Sequence, residues 1–221
     1  MIVVGIVNAK GGVGKTTLTL TLSVRAAVDS PRVALVDLDS QGSTELWHAL
    51  RGDPDNPAIC KGARTPTEAL EGLAQTGWDW VFFDGCPNGM DNIEELISVC
   101  DVALVPIRAG LFDLKASHAV IEMLQAAKVP YLMVVNDVGP TDKGMVDAAR
   151  RVFERDNIPV AVQQIAHRKA HSEAMAKGKT GPEISKRDDP ATVEIEALWQ
   201  ELLTLVKTKK TRRSRKAREV A

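Results

Sequence analysis

The 221-residue chain has little cysteine, few aromatics and no long apolar run. Cys60, Cys86 and Cys100 are three, with no C-x-x-C pair. That pattern excludes a disulfide framework and a thiolate metal cage, and it fits a reducing compartment. Aromatic residues make up 4%, and Tyr131 is the single tyrosine. No apolar stretch approaches the ~18 residues that a membrane span requires. The apolar start at residues 2–7 lacks a basic leader and runs into a polar, Gly-rich segment, so it does not read as a signal peptide. His48, His118, His167 and His171 lack the spacing of a zinc site. What remains, 44% hydrophobic and 26% charged, is ordinary for a globular chain. It excludes wholesale disorder and a fibrous rod.

Net charge is also nearly absent, at −1, but its distribution is uneven. Residues 207–221 carry eight Lys/Arg and one Glu, a local charge of +7, and the preceding 206 residues sum to −8. The chain therefore divides into a single acidic domain, residues 1–206, and a basic arm, residues 207–221, expected to be disordered. The arm holds Lys207, Lys209, Lys210, Arg212, Arg213, Arg215, Lys216 and Arg218. It contains neither leucine nor aromatic residues, so no membrane-inserting helix is expected there. On charge alone such an arm suits DNA, RNA or an anionic membrane surface, with a solubilising tail as the alternative.

Near-continuous apolar runs at 2–7, 33–36, 80–83, 102–107 and 131–135 read as strands buried on both faces. Helical patterns lie between them, at about 16–28, 66–75, 90–99, 113–127 and 142–155, and a last one at 191–206. Residues 51–64 and 178–190 read as polar, Gly/Pro-bearing loops. Strands alternating with helices predict an α/β fold, a doubly wound, mostly parallel sheet flanked by helices.

Between the first strand and its helix stand Ala9, Lys10, Gly11, Gly12, Val13, Gly14, Lys15, Thr16 and Thr17. Glycines there let backbone N–H groups turn around a polyphosphate at a helix N-terminus. Lys15 would reach the β- and γ-phosphates, and the Thr16 hydroxyl would hold Mg²⁺. Ala9 stands where the strict pattern has glycine, tolerable if its φ is negative. Asp37 and Asp39 follow the second strand, at the crevice where open α/β sheets bind ligands. Asp84 ends the strand at 80–83. One such carboxylate can hold a metal through water and another can orient an attacking water, with a capping role for Asp37 as the alternative. Gly85 is a candidate γ-phosphate sensor through its backbone N–H. Asn136, at the end of the fifth strand, suits either an adenine contact or a turn. Arg108 faces either a dimer interface or solvent.

The run Lys10-Gly11-Gly12-Val13-Gly14-Lys15-Thr16-Thr17 resembles the deviant Walker A motif of the ParA/MinD superfamily, a class of P-loop NTPases. The resemblance extends over roughly residues 1–206. Asp37-Leu38-Asp39-Ser40-Gln41 is similar to the family's second motif. Val81 to Pro87 is similar to Walker B, although Gly85-Cys86-Pro87 departs from the usual Thr/Cys-Pro-Pro. Residues 105–114, with Asp113, are similar to a further motif. The resemblance implies a small ParA-type partition ATPase that binds ATP and Mg²⁺ and forms a homodimer on ATP. Lys10 would act in trans on the partner's phosphates, and Asp39 would activate water, with Lys15 beside it. Thr16, Asp37, Asp39 and Asp84 would serve the metal. Non-specific DNA would be bound by Arg168, Lys169 and the arm, and a ParB-like centromere-binding protein would stimulate slow hydrolysis. The implied location is the cytoplasm, on the nucleoid in the ATP state. With a strand at residue 2, no operator-binding domain is expected before it. The alternatives are a ParA/MinD-like ATPase positioning a protein or membrane cargo, and a P-loop metabolic ligase. A nitrogenase-reductase-like protein lacks its cysteines here, and a tyrosine autokinase lacks its tyrosines.

Overall fold

The computed structural model describes residues 1–85, 90–108 and 110–219, with the side chains of 91, 111–116 and 210–219 outside that description. Six parallel strands form one sheet: β1 (Ile2–Ile6), β2 (Val33–Asp37), β3 (Ala58–Cys60), β4 (Trp80–Asp84), β5 (Val102–Ile107) and β6 (Tyr131–Val135). Their order across the sheet is β3-β2-β4-β1-β5-β6. The connection from β1 leads toward β2 and that from β5 toward β6, so the chain diverges at the carboxyl ends of β1 and β5. That divergence is where open α/β sheets form a ligand crevice.

The two faces of the sheet separate by the period-2 rule for strands. Val3, Val36, Val81, Phe83, Val105 and Val135 pack on α3 (Pro66–Leu73), α4 (Met90–Val99), α5 (Leu111–Ala126) and α6 (Lys143–Arg155). Val4, Ile6, Leu35, Phe82, Leu104 and Val134 pack on α1 (Lys15–Asp29), Trp47 of α2 (Ser43–Leu50) and α9 (Pro190–Glu219). Trp199 of α9 is fully buried, its ring 5.1 Å from that of Trp80. Two short helices, α7 (Lys169–Met175) and α8 (Gly181–Ile184), join α6 to α9.

Five expected strands and six expected helical regions are present, with ends shifted by a few residues. The segment 51–64, read as all loop, contains β3, a three-residue edge strand paired with Ala34–Val36. Helix α2 has no apolar periodicity strong enough to stand out in so short a segment. Helix α8 lies within the break at 178–190.

The largest difference concerns the arm. Helix α9 does not end at Val206 but runs on to Glu219, so the expected disordered tail is helical through that residue. Lys, Arg, Ala and Glu are strong helix formers, and no Gly or Pro interrupts them between 207 and 219. Lys209 also ties the helix to the body. Its ammonium donates to Asp101 Oδ1 at 2.7 Å, while Asp101 Oδ2 accepts the Val3 N–H at 2.9 Å. Asp101 precedes β5, at the sheet edge opposite the crevice.

Trp199→Ala should destabilise the protein by about 3–5 kcal/mol, because it empties the contact between α9 and Trp80. Urea denaturation followed by circular dichroism would measure it; a loss below about 1 kcal/mol would show that α9 is not part of the cooperative core.

Candidate functional site

The loop after β1 turns twice through backbone that side chains disfavour. Gly12 and Gly14 have φ of 70° and 92°, in the left-handed region that glycine enters freely. At Gly14 an added Cβ would also collide with the Asn136 amide nitrogen. Ala9 has no positive φ, so alanine is accommodated there. Two asparagines hold the loop. Asn136 Nδ2 donates to the Val13 carbonyl at 2.8 Å. Asn8 accepts the Lys10 N–H at 2.9 Å through Oδ1, and its Nδ2 donates to the Pro106 carbonyl and to Ser117 Oγ. The Lys15 ammonium donates to the Lys10 carbonyl at 2.9 Å, folded back across the loop.

A cleft of about 390 Å³ opens over this loop. Gly11, Gly12, Gly14, Lys15, Thr16 and Thr17 line one wall, and Asp39 and Asn136 also reach it. Lys10 and Val13 are not among its lining residues. The outer wall is built from paired charges. Asp137, after β6, accepts from Arg108 at 2.8 Å and from His167 Nδ1 at 2.6 Å. Arg168 forms a salt bridge with Glu194 of α9. Buried His171 also lines the cleft, with neither ring nitrogen hydrogen-bonded, and burial lowers its pKa.

The carboxylates separate by role. Asp37 does not line the cleft. Its Oδ1 accepts the Asp39 N–H, and its Oδ2 accepts the N–H groups of Thr44 and Glu45 at the start of α2. Asp37 thus caps the first N–H groups of α2, the alternative given for it above, and both its oxygens are engaged by backbone donors. Burial raises its pKa. Asp39 Oδ1 accepts the Gln41 N–H, and the side chain faces the cleft. Asp84 is 1% exposed and pairs in register with Asp37. Burial pushes its pKa up to about 6; the Thr16 and Thr44 hydroxyls and Lys15 oppose the shift, and Asp37 adds to it.

The Mg²⁺ expectation can be tested on this geometry. Asp84 Oδ1 is buried and has no hydrogen-bond partner, while Oδ2 accepts from Thr44 Oγ1 at 2.9 Å. An uncommitted carboxylate oxygen near the Thr16 hydroxyl suits a hard cation that takes one or two protein oxygens and otherwise phosphate and water. The described residues contain no ready-made cage of three or more His, Cys, Asp or Glu, and such a cation needs none. The residues fit the ion.

Other expectations change. The Gly85 N–H donates to the Ile6 carbonyl at 3.2 Å, extending the β1–β4 pairing, so it is not free to sense a phosphate. The side chain of Asn136 supports the loop from below as well as lining the cleft. The DNA candidates do not form one surface. Arg168 sits on the cleft wall against Glu194, with exposed Lys169 next to it. Lys209 lies farther along α9, roughly 22 Å from Glu194 at the helical rise per residue. Lys207 is exposed on the same turn. The side chains of Lys210, Arg212, Arg213, Arg215, Lys216 and Asp113, and all of Cys86, lie outside the described residues. Sequence reasoning missed Asn8, Thr44, Asp137 and Glu194. Asn8 and its partner Ser117 are 109 positions apart, a separation that no local pattern signals.

Residues 4–181 match the family model described as CobQ/CobB/MinD/ParA nucleotide binding domain. Maintenance of carboxysome distribution protein A of Halothiobacillus neapolitanus is 30% identical over 208 residues, covering 90% of this chain and 94% of that protein. The chromosome-partitioning ATPase Soj of Thermus thermophilus is 27% identical over 154 residues, covering 57% of this chain and 62% of Soj. Among solved structures, the septum site-determining protein MinD of Pyrococcus horikoshii, complexed with Mg-ADP, has a TM-score of 0.69 at 20% identity. That match covers 94% of this chain and 98% of that one. The expected P-loop fold of the ParA/MinD type is thus the fold present.

A carboxyl whose folded pKa lies above its unfolded value destabilises the fold once ionised. For Asp84 that penalty sets in as pH rises from about 4 and is complete above about 6. Asp84→Asn should therefore stabilise the nucleotide-free protein by roughly 1–3 kcal/mol at pH 8, with the difference gone near pH 4. Urea titrations of both proteins across that range would reveal it, and a destabilised variant at pH 8 would overturn it.

Proposed function

This chain belongs to the CobQ/CobB/MinD/ParA nucleotide-binding family, and we infer that it is a positioning ATPase of the ParA/MinD kind whose cargo is a protein assembly. The observation that carries the nucleotide reading is the glycine loop, with Lys15 spanning it and Asp84 Oδ1 left uncommitted beneath it. The protein-cargo reading rests on the relative matched along 94% of its length, whose name is that of a carboxysome distribution protein.

In this reading ATP lies along the loop, with its phosphates under the N–H groups that Gly12 and Gly14 turn inward. Lys15 leaves the Lys10 carbonyl for the β- and γ-phosphates. Thr16 and Asp84 hold Mg²⁺, which neutralises charge on the phosphates. Asp39 orients the attacking water from the cleft wall. ATP closes a face-to-face homodimer in which Lys10 supplies charge in trans, in the manner of an arginine finger. A partner protein attached to the cargo stimulates slow hydrolysis and opens the dimer. The track is non-specific DNA, bound through phosphates by Lys169, Lys207 and the remaining basic residues of α9. Such contacts carry no sequence information and weaken with salt. The active pool is cytoplasmic and nucleoid-bound with ATP. No helix among the described residues is long and apolar enough to cross a membrane.

A second reading keeps the enzyme and changes the cargo. Soj is a chromosome-partitioning ATPase, and its similarity supports plasmid or chromosome segregation with a ParB-like centromere-binding partner. It matches less of this chain at lower identity, so protein cargo is preferred. A metabolic ligase of the same family would show turnover stimulated by a small molecule and no DNA binding.

Co-sedimentation with DNA in ATP, ADP and no nucleotide, over a salt series, tests the switch. Binding should require ATP and fall steeply with salt. Lys15→Ala should abolish nucleotide dependence. Lys10→Ala should keep ATP binding but lose dimerisation and most hydrolysis. Equal DNA binding in every nucleotide state would reduce the protein to a simple basic-arm binder.

A further inference from the structure

Thr44 belongs to none of the motifs read from the sequence, yet it is fully buried between the two strand-end carboxylates. Asp37 and Asp84 pair in register across β2 and β4. Neighbouring strands lie ≈ 4.8 Å apart, so buried Asp84 is forced beside half-buried Asp37. Asp37 is satisfied by three backbone N–H groups. The Asp84 carboxylate accepts no backbone N–H among the hydrogen bonds described and depends on hydroxyls. Thr44 serves both: its N–H donates to Asp37 Oδ2 and its Oγ1 donates to Asp84 Oδ2, each at 2.9 Å. A hydroxyl has one proton to give. By giving it to Oδ2, Thr44 sets the plane of the Asp84 carboxylate and leaves Oδ1 without a partner.

We propose that Thr44 is a positioning residue for the cation that accompanies the nucleotide, turning Asp84 so that Oδ1 stays available beside Thr16. The proposal rests on the Mg-ATP reading of the cleft and goes beyond it by assigning the orientation of Asp84 to a residue outside the loop motifs. It also links two segments that must act together. Helix α2 begins in the segment carrying Asp39, so the carboxylate that orients water and the one that holds the cation share one anchor. Partners that orient a metal-binding carboxylate typically alter affinity by 10–100-fold when removed.

The test separates positioning from packing by opposite substitutions. Thr44→Val keeps the shape and removes the hydroxyl; Thr44→Ser keeps the hydroxyl and removes the methyl. Affinity of the full chain for a fluorescent ATP analogue is measured in Mg²⁺ and in EDTA. Wild type should bind more tightly in Mg²⁺. Thr44→Ser should retain that gain within about twofold, and Thr44→Val should lose about tenfold of it while binding normally in EDTA. A Val variant that keeps the full gain, or a Ser variant that loses as much as Val, overturns the proposal. If the Val variant fails to fold, seen as lost binding in EDTA and a lost unfolding transition, the Ser variant decides alone: a retained gain supports the proposal and a lost gain overturns it. If wild type itself binds no nucleotide, the ATPase reading fails and this inference falls with it, an outcome distinct from any difference between variants.

Discussion

The register of β2, β4 and β1 is the constraint on which the site depends. It aligns Ile6, Asp37 and Asp84 at one edge of the sheet. The glycine loop leaves β1 immediately above them. A buried carboxylate beside a half-buried one at adjacent strand ends is an unfavourable arrangement unless donors and cations surround them. The structure answers with three backbone N–H groups on Asp37, the hydroxyls of Thr16 and Thr44 at Asp84, and Lys15 close by. Burial raises the pKa of Asp84, and the neighbouring Asp37 adds to the shift. A divalent cation at Oδ1 would oppose that shift, which couples the stability of this edge to ligand binding.

The cleft is supported from beneath by neutral amides and bounded on its outer side by ion pairs. Asn8 and Asn136 reach the loop from the ends of β1 and β6, and their contacts are buried. Exposed pairs such as Arg108 with Asp137 contribute little stability, about 0–1 kcal/mol each. Their effect is on shape and charge at the mouth of the cleft. Arg168 is one of these wall residues, held by Glu194, which is why a basic residue proposed for DNA is found facing the nucleotide side.

The opposed charges of body and arm meet at Lys209 and Asp101. Lys209 pairs with Asp101 at the sheet edge opposite the cleft, and a single helix joins that point to Glu194 and Ile195 at the cleft wall. The basic extension is thus a continuation of a packed helix. Its acidic body repels phosphates, so any DNA surface must be local, either near Lys169 or along the end of α9. The family places this protein among nucleotide-binding P-loop proteins, and the basic residues Lys169 and Lys209 lie well apart along the molecule.

The alternation of apolar strands and helices, the glycine loop and the strand-end acids were all legible in the sequence, because each is a local pattern with a local cause. Buried parallel strands must be apolar on both faces, and a phosphate loop must have glycine where φ is positive. The short edge strand β3 and helix α2 were not legible, since three and eight residues carry too little periodicity. Nor could the sequence tell that Asp37 takes backbone N–H donors and Asp84 takes hydroxyls, although both end apolar strands with an aspartate. That division was decided by tertiary packing alone. Helix α2 begins where its N–H groups face Asp37, while Thr44 and Thr16 reach Asp84, so identical carboxylates acquire different donors and different chemistry. The extent of α9 was decided the same way: composition marked the arm as basic, and the pairing of Lys209 with Asp101 ties its first turns to the body.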